Sequence, residues 1–130
     1  MNNIFHPIHK HILIKAHILN PFKTQKQAKR FLKDLVALIG MTPVTNPAAT
    51  YVAEEGNKGF TGSINLATSH IAFHIWDETG MLMTDVYSCK DFDPIVIIDF
   101  IDHKLELDNT HEHTMLVLDR ETMKSELETF

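Results

Sequence analysis

The sequence holds a single cysteine, Cys89, in 130 residues. No internal disulfide can form from it, and a lone thiol points to a reducing, cytoplasmic setting. Glycine and proline are scarce, at five each, which excludes a collagen-like or low-complexity chain. No apolar run approaches the roughly 18 residues that span a bilayer. The opening Met1-Asn2-Asn3-Ile4-Phe5-His6 lacks the basic, apolar and small-residue zones of a signal peptide. Bases are outnumbered, 12 against 17 acids, for a net charge of −5. That balance argues against a surface built to neutralise phosphates, so neither nucleic acid nor a membrane is an expected partner.

What is present is the composition of one globular domain, 44% hydrophobic and 22% charged. At this size folding buries about 68% of the extended chain's surface, enough for a core without metal or disulfide staples. Histidine alone is in excess, nine in all and four within the first 17 residues. The groups His6, His9, His11 and His111, His113 raise the question of metal. Their spacings match no closed tetrahedral site, and no second cysteine is available. His9 and His11, two apart on a strand, would share a face and suffice only for a weak site, so no functional metal is expected.

From His6 to Leu19 apolar residues alternate with His and Lys through Ile12, Ile14, Ala16 and Ile18, the period of a half-buried strand. Asn20-Pro21 ends it. Thr24 is placed to cap a helix over Gln25–Ile39, with Ala28, Phe31, Leu32, Leu35, Leu38 and Ile39 on one stripe and Gly40 as the stop. Pro43 and Pro47 make Met41–Val52 an irregular or edge strand. Strands are predicted at Phe60–Ala67, His70–Asp77 and Met81–Tyr87, joined by short turns into an antiparallel meander. A second helix is predicted over Asp93–Leu105, with Pro94 in its first turn and Ile97, Phe100 and Ile101 on its buried side. A last strand is predicted at His113–Leu118, and the tail from Glu121 reads as a short helix or disordered. The fold class is therefore α+β, a two-layer sandwich of a mainly antiparallel sheet with two helices on one face. Ile71, Phe73 and Ile75 point one way, and His70, Ala72, His74 and Trp76 the other. Trp76 beside Met81 and Met83 leaves an apolar patch that a second copy, packed sheet to sheet, would cover; a homodimer is expected.

The densest chemical constellation is Gly59-Phe60-Thr61-Gly62, then Ser69-His70, then His74-Ile75-Trp76-Asp77-Glu78, then Cys89. A hydroxyl nucleophile, two imidazoles, a carboxylate and the only thiol on neighbouring strands suit acyl chemistry. This stretch resembles the small bacterial and archaeal S-adenosylmethionine decarboxylase proenzymes. Their pattern is a Gly-x-Ser-Gly turn, a Ser-His pair opening a strand, a His five residues after that Ser, a nearby Trp-Pro-Glu, and a Cys fifteen residues after the His. Here Thr61, Ser69-His70, His74, Trp76, Glu78 and Cys89 stand at those spacings, and Asp93-Pro94 follows one residue early.

The resemblance implies one domain over residues 1–130 that cleaves itself between Thr68 and Ser69. Ser69 would become a pyruvoyl group, the cofactor whose Schiff base with an amino acid stores the carbanion left by decarboxylation. It further implies that His74 and Thr61 assist cleavage, that Cys89 donates the quenching proton, and that Glu78, Glu55 and His70 bind substrate, with Glu78 on the ribose hydroxyls. Four residues depart from the family pattern: Thr68 replaces Glu, Thr61 replaces Ser, Asp77 replaces Pro, and Glu55 stands where a phenylalanine stacks on adenine. A carboxylate cannot stack as a phenyl ring does, but it can pair with a cation. The expected activity is decarboxylation of S-adenosylmethionine for spermidine synthesis. The alternatives are an ornithine or arginine decarboxylase of the same fold and mechanism, and a non-cleaving homologue acting as a binding or regulatory subunit.

Overall fold

The computed structural model describes residues 8–130; His6 lies outside them. Alternation of apolar and polar residues produces β1 (Lys10–His17), in which Ile12, Ile14 and Ala16 are buried and Leu13 and Lys15 are exposed. It begins later than the sequence pattern suggests, so His9 precedes the strand instead of sharing a face with His11 within it. The helix α1 (Gln25–Leu38) starts as expected: Thr24 Oγ1 accepts from the Gln27 backbone N–H at 3.1 Å, and the Gln27 side chain accepts from the Lys23 N–H at 2.8 Å. That reciprocal pair satisfies two otherwise orphaned donors. Val36 is buried and Leu38 exposed, whereas the expected stripe ran through Leu38; the two flank that stripe on opposite edges, and tertiary packing decides which edge is covered.

The strands β2 (Ala48–Val52), β3 (Gly59–Asn65), β4 (His70–Trp76) and β5 (Met81–Ser88) form the expected meander. The helix α2 (Ile95–Leu105) follows, then β6 (Thr114–Asp119). The tail is neither helical nor disordered. Ser125–Thr129 forms β7, which pairs with β6 from Thr114↔Thr129 to Leu118↔Ser125. It reads as polar because it is a rim strand, with Glu126 exposed and Glu128 half-buried; charges there block further edge pairing. The seven-stranded antiparallel sheet runs β2-β3-β4-β5-β1-β6-β7, placing β1 between β5 and β6.

The two helices lie side by side, the Phe31 and Phe100 rings 5.1 Å apart, and α1 meets the sheet where Phe31 and Phe22 contact Phe73 at 5.7 and 5.6 Å between ring centres. Phe73, Ile71 and Leu82 are fully buried there; each such side chain contributes about 2 kcal/mol through burial. Phe100 is only half-buried, and Ile98 takes the core position beside Ile97 and Ile101. The opposite face of the sheet carries His11, His70, His74 and Asp85. No helix among the described residues is long and apolar enough to cross a membrane.

Candidate functional site

The end of β5 and the turn before β4 bring three reactive groups together. Leu66 N–H donates to the Ser69 carbonyl at 2.9 Å, closing a turn that exposes Thr68 and buries Ser69. The register Tyr87↔His70 then carries Cys89 past that turn. Its Sγ lies 2.7 Å from Thr68 Oγ1 and 4.0 Å from Ser69 Oγ. The Thr68 hydroxyl, followed by that of Ser69, holds the Cys89 thiol below its ordinary pKa against the opposing effect of burial. The Cys89 thiol, its pKa lowered, thus sits beside the hydroxyls of Thr68 and Ser69.

Lys10 organises the loop after Cys89. Its side chain is completely buried, and Nζ donates to the carbonyls of Lys90 and Phe92 and to Asp91 Oδ1, each at 3.3 Å. The ammonium also lies 4.7 Å from the centre of the Phe92 ring. Burial lowers the Lys10 pKa, while Asp91 and Asp93 oppose the shift. Sequence reading did not single out Lys10, yet a signal was present: it occupies the same phase of the strand as Ile12 and Ile14, where a charge must find partners inside.

A second group stands further along the same strands. Thr61 on β3 faces His74 on β4, and Thr61 Oγ1 hydrogen-bonds to His74 Nδ1 and to the Phe73 carbonyl. A cavity of about 180 Å³ there is lined by Glu54, Asn57, Thr61, His74 and Trp76, among others, and Trp76 Nε1 donates to Asn57 Oδ1 at 3.0 Å. Glu55, in the turn after β2, and Glu78, in the turn after β4, are both exposed. Neither lines this cavity; Glu54, the neighbour of Glu55, does. His74 lies five positions along β4 from Ser69, about 16 Å at the usual strand rise. Within one chain the Thr61–His74 pair and the Thr68–Ser69 peptide are therefore separate.

His70 belongs to a third group. Asp85 Oδ2 accepts from His11 Nε2 at 2.8 Å and from His70 Nε2 at 3.2 Å. These contacts, that of His11 first, lower the Asp85 pKa against burial. The ligand atoms of His11, His70 and Asp85 lie within 4.8 Å of one another, close enough to hold a cation. The outer ring nitrogen argues for a hydrogen-bonded network instead: Arg120 Nη1 approaches His11 Nδ1 at 3.4 Å, so Nδ1 accepts and Nε2 carries the proton, whereas a metal-bound imidazole donates from its outer nitrogen. The Arg120 guanidinium also rests 4.3 Å over the Tyr87 ring. His9 is instead paired with Glu121 at 3.0 Å.

Comparison with known proteins bears on the whole of this surface. A family model described as S-adenosylmethionine decarboxylase matches residues 10–120. Proteins named S-adenosylmethionine decarboxylase proenzyme are similar to this chain in both archaea and bacteria. That of Thermoplasma acidophilum is 47% identical over 34 residues, covering 26% of each chain. That of Pyrobaculum arsenaticum is 46% identical over 50 residues, 38% of this chain and 40% of the relative. That of Bacillus velezensis is 37% identical over 51 residues, 39% of this chain and 40% of the relative. The matched stretch thus spans less than half the length of these relatives.

Proposed function

Because the chain belongs to the S-adenosylmethionine decarboxylase family, we propose that it is a self-processing, pyruvoyl-dependent decarboxylase acting on S-adenosylmethionine for spermidine synthesis in the cytoplasm. The observation that carries this reading is the packing of the Cys89 thiol against the hydroxyls of Thr68 and Ser69. Ser69 Oγ attacks the Thr68 carbonyl carbon; the Thr68–Ser69 C–N bond breaks, the serine nitrogen takes a proton, and an ester results. Loss of the Ser69 α-proton then breaks the Cβ–O bond, which leaves a carboxylate on Thr68 and dehydroalanine at 69. Water releases ammonia from that residue and leaves a pyruvoyl carbonyl. The residues fit the group: the buried Ser69 follows the exposed Thr68, and the Cys89 thiol, with its pKa lowered, lies against both hydroxyls. When formed, the pyruvoyl group supplies the electron sink for decarboxylation. Cys89 then delivers a proton to the substrate carbon.

The Thr61–His74 pair enters this reading through a second copy of the chain. The outer sheet face exposes Leu13 and Met83, each at 40%, around a depression of about 350 Å³ that His74 also lines. Packing two such faces together buries the apolar residues and offers His74 and Thr61 of one subunit to the cleavage peptide of the other. Glu78 and Glu55, exposed in neighbouring turns, and His70, held by Asp85, are the substrate contacts of this reading.

One observation favours a different substrate on the same machinery. The cavity beside Trp76 is lined by the carboxylate residue Glu54, which suits a cationic side chain such as that of ornithine or arginine. Intact mass of the purified protein tests the shared step: two fragments of about 7 to 8 kDa are expected from the 14.9 kDa chain, the second with a blocked N-terminus. Release of labelled carbon dioxide from S-adenosylmethionine, ornithine and arginine then separates the substrates. A single full-length species that persists on incubation and releases carbon dioxide from none of them overturns both readings in favour of a non-cleaving binding subunit.

A further inference from the structure

The net negative charge conceals a local excess of the opposite sign. Residues 20 to 33 contain Lys23, Lys26, Lys29, Arg30 and Lys33 and no acid, so five of the 12 bases fall in one short stretch. Lys23, Lys26 and Arg30 line a cavity of about 510 Å³ between the start of α1 and α2. Their charged groups form no ion pair or hydrogen bond with any described residue. Lys26 and Arg30, four apart on one helix, face the same way, and like charges at that spacing repel one another. Lys104 enters from α2, already paired with Asp34 at 3.1 Å. Glu106, beyond the rim, accepts from the Asn20 side-chain amide at 3.0 Å. The two nearby acids are thus engaged with other groups, and three cations remain unpaired.

The cavity is not uniformly polar. Pro21 and Phe22 form an apolar wall, with Phe22 anchored against Phe31 at 5.3 Å between ring centres. Its volume is that of an ordinary small-molecule pocket. None of Thr61, Thr68, Ser69, His74 or Cys89 lines it, so it is separate from the surface described above. Unpaired cations that include a guanidinium suit the oxygens of a phosphate chain, and the apolar wall suits a flat heteroaromatic base.

We propose that this cavity binds a nucleoside polyphosphate, with its phosphates on Lys23, Lys26 and Arg30 and its base against Pro21 and Phe22. The reading does not depend on whether Ser69 is processed, and its test reads binding directly. Isothermal titration of the protein as purified with ATP at physiological salt is expected to show saturable one-to-one binding. Lys26→Ala and Arg30→Ala should each weaken it about tenfold. Amide resonances of the unaltered protein provide a measurement free of any folding defect: those from Lys23 to Phe31 should shift on addition of ATP, and those of Thr68, Ser69 and Cys89 should not. Inorganic tripolyphosphate should shift the same resonances with weaker affinity, and equal affinity would overturn the contact with Pro21 and Phe22. Absence of binding, shifts centred on Ser69 and Cys89, or undiminished affinity in the Lys26→Ala, Arg30→Ala double variant would overturn the site itself.

Discussion

Thr68 Oγ1 lies 2.7 Å from Cys89 Sγ, and this contact is the leading cause of the lowered pKa of the thiol. The residue that departs from the family pattern before the reactive serine is therefore also the partner of the only cysteine. In an uncleaved Ser69→Ala background, Thr68→Val should raise the Cys89 pKa. The pH profile of its reaction with a disulfide reagent would move to alkaline values relative to Ser69→Ala alone. An unmoved profile would show that the hydroxyl does not support the thiolate.

Lys10 closes the loop after Cys89 through two carbonyls and one carboxylate. Lys10→Met keeps the length of the side chain but strands those acceptors, so a loss of about 1 to 3 kcal/mol is expected. A lowered urea midpoint with an unchanged slope is the measurement that checks it. The same variant should slow carbon dioxide release, because the loop that orients Cys89 loses its anchor.

Gly59 opens β3 with φ +152°, and a Cβ there would overlap the Ile75 carbonyl. Neither the conformation nor the space admits a side chain. Gly59→Ala should cost about 3 kcal/mol, read as a drop in the denaturation midpoint, and should disturb the Thr61–His74 pairing two positions on.

His17 couples stability to pH. Its ring stacks on His111 with centres 4.0 Å apart, and its backbone N–H donates to His113 Nδ1 at 3.2 Å. Burial, then charge on His111, His113 and Lys15, lowers its pKa, and Asp108 opposes them. Free imidazole titrates near about 6.5, so the unfolded chain takes up the proton first. Stability from this residue is complete above that pH and declines below it, until the pH passes beneath the lowered folded value. Urea midpoints should therefore fall between about pH 7.5 and 5.5, and His17→Gln should flatten the slope. A slope identical in the variant would remove His17 from the account.

Met83 stands on the outer sheet face beside His74. If two copies pack there, Met83→Glu places a charge in the interface and should convert a dimer to a monomer by light scattering. Self-cleavage should fail with it, since the Thr61–His74 pair would no longer reach a neighbouring Ser69. A cleaved monomer would show that the two groups act within one chain.

Much of the fold was legible along the chain. The alternation from Ile12 to Ile18, the Thr24 cap and the short turns of the meander are local signals, and they produced strands and a helix near their expected places. The tail was misread because Glu126, Leu127 and Glu128 mimic a solvated segment; only pairing with β6 makes them a strand. Val36 rather than Leu38 is buried because the two stand on opposite edges of the apolar stripe, and periodicity alone does not record which edge the rest of the molecule covers.

The sequence by itself determined which reactive groups exist and their order: Thr61, Ser69, His74 and Cys89 at fixed intervals on successive strands. Those intervals are covalent facts, and a two-residue strand period converts them into faces. Tertiary structure alone decided which groups meet. Antiparallel register set Cys89 against Thr68 and Thr61 against His74; the insertion of β1 between β5 and β6 brought His11 to Asp85; and burial turned Lys10 from a surface base into a clamp. Net charge, a sum over the chain, was blind to the three unpaired cations around one cavity, because a sum carries no positions.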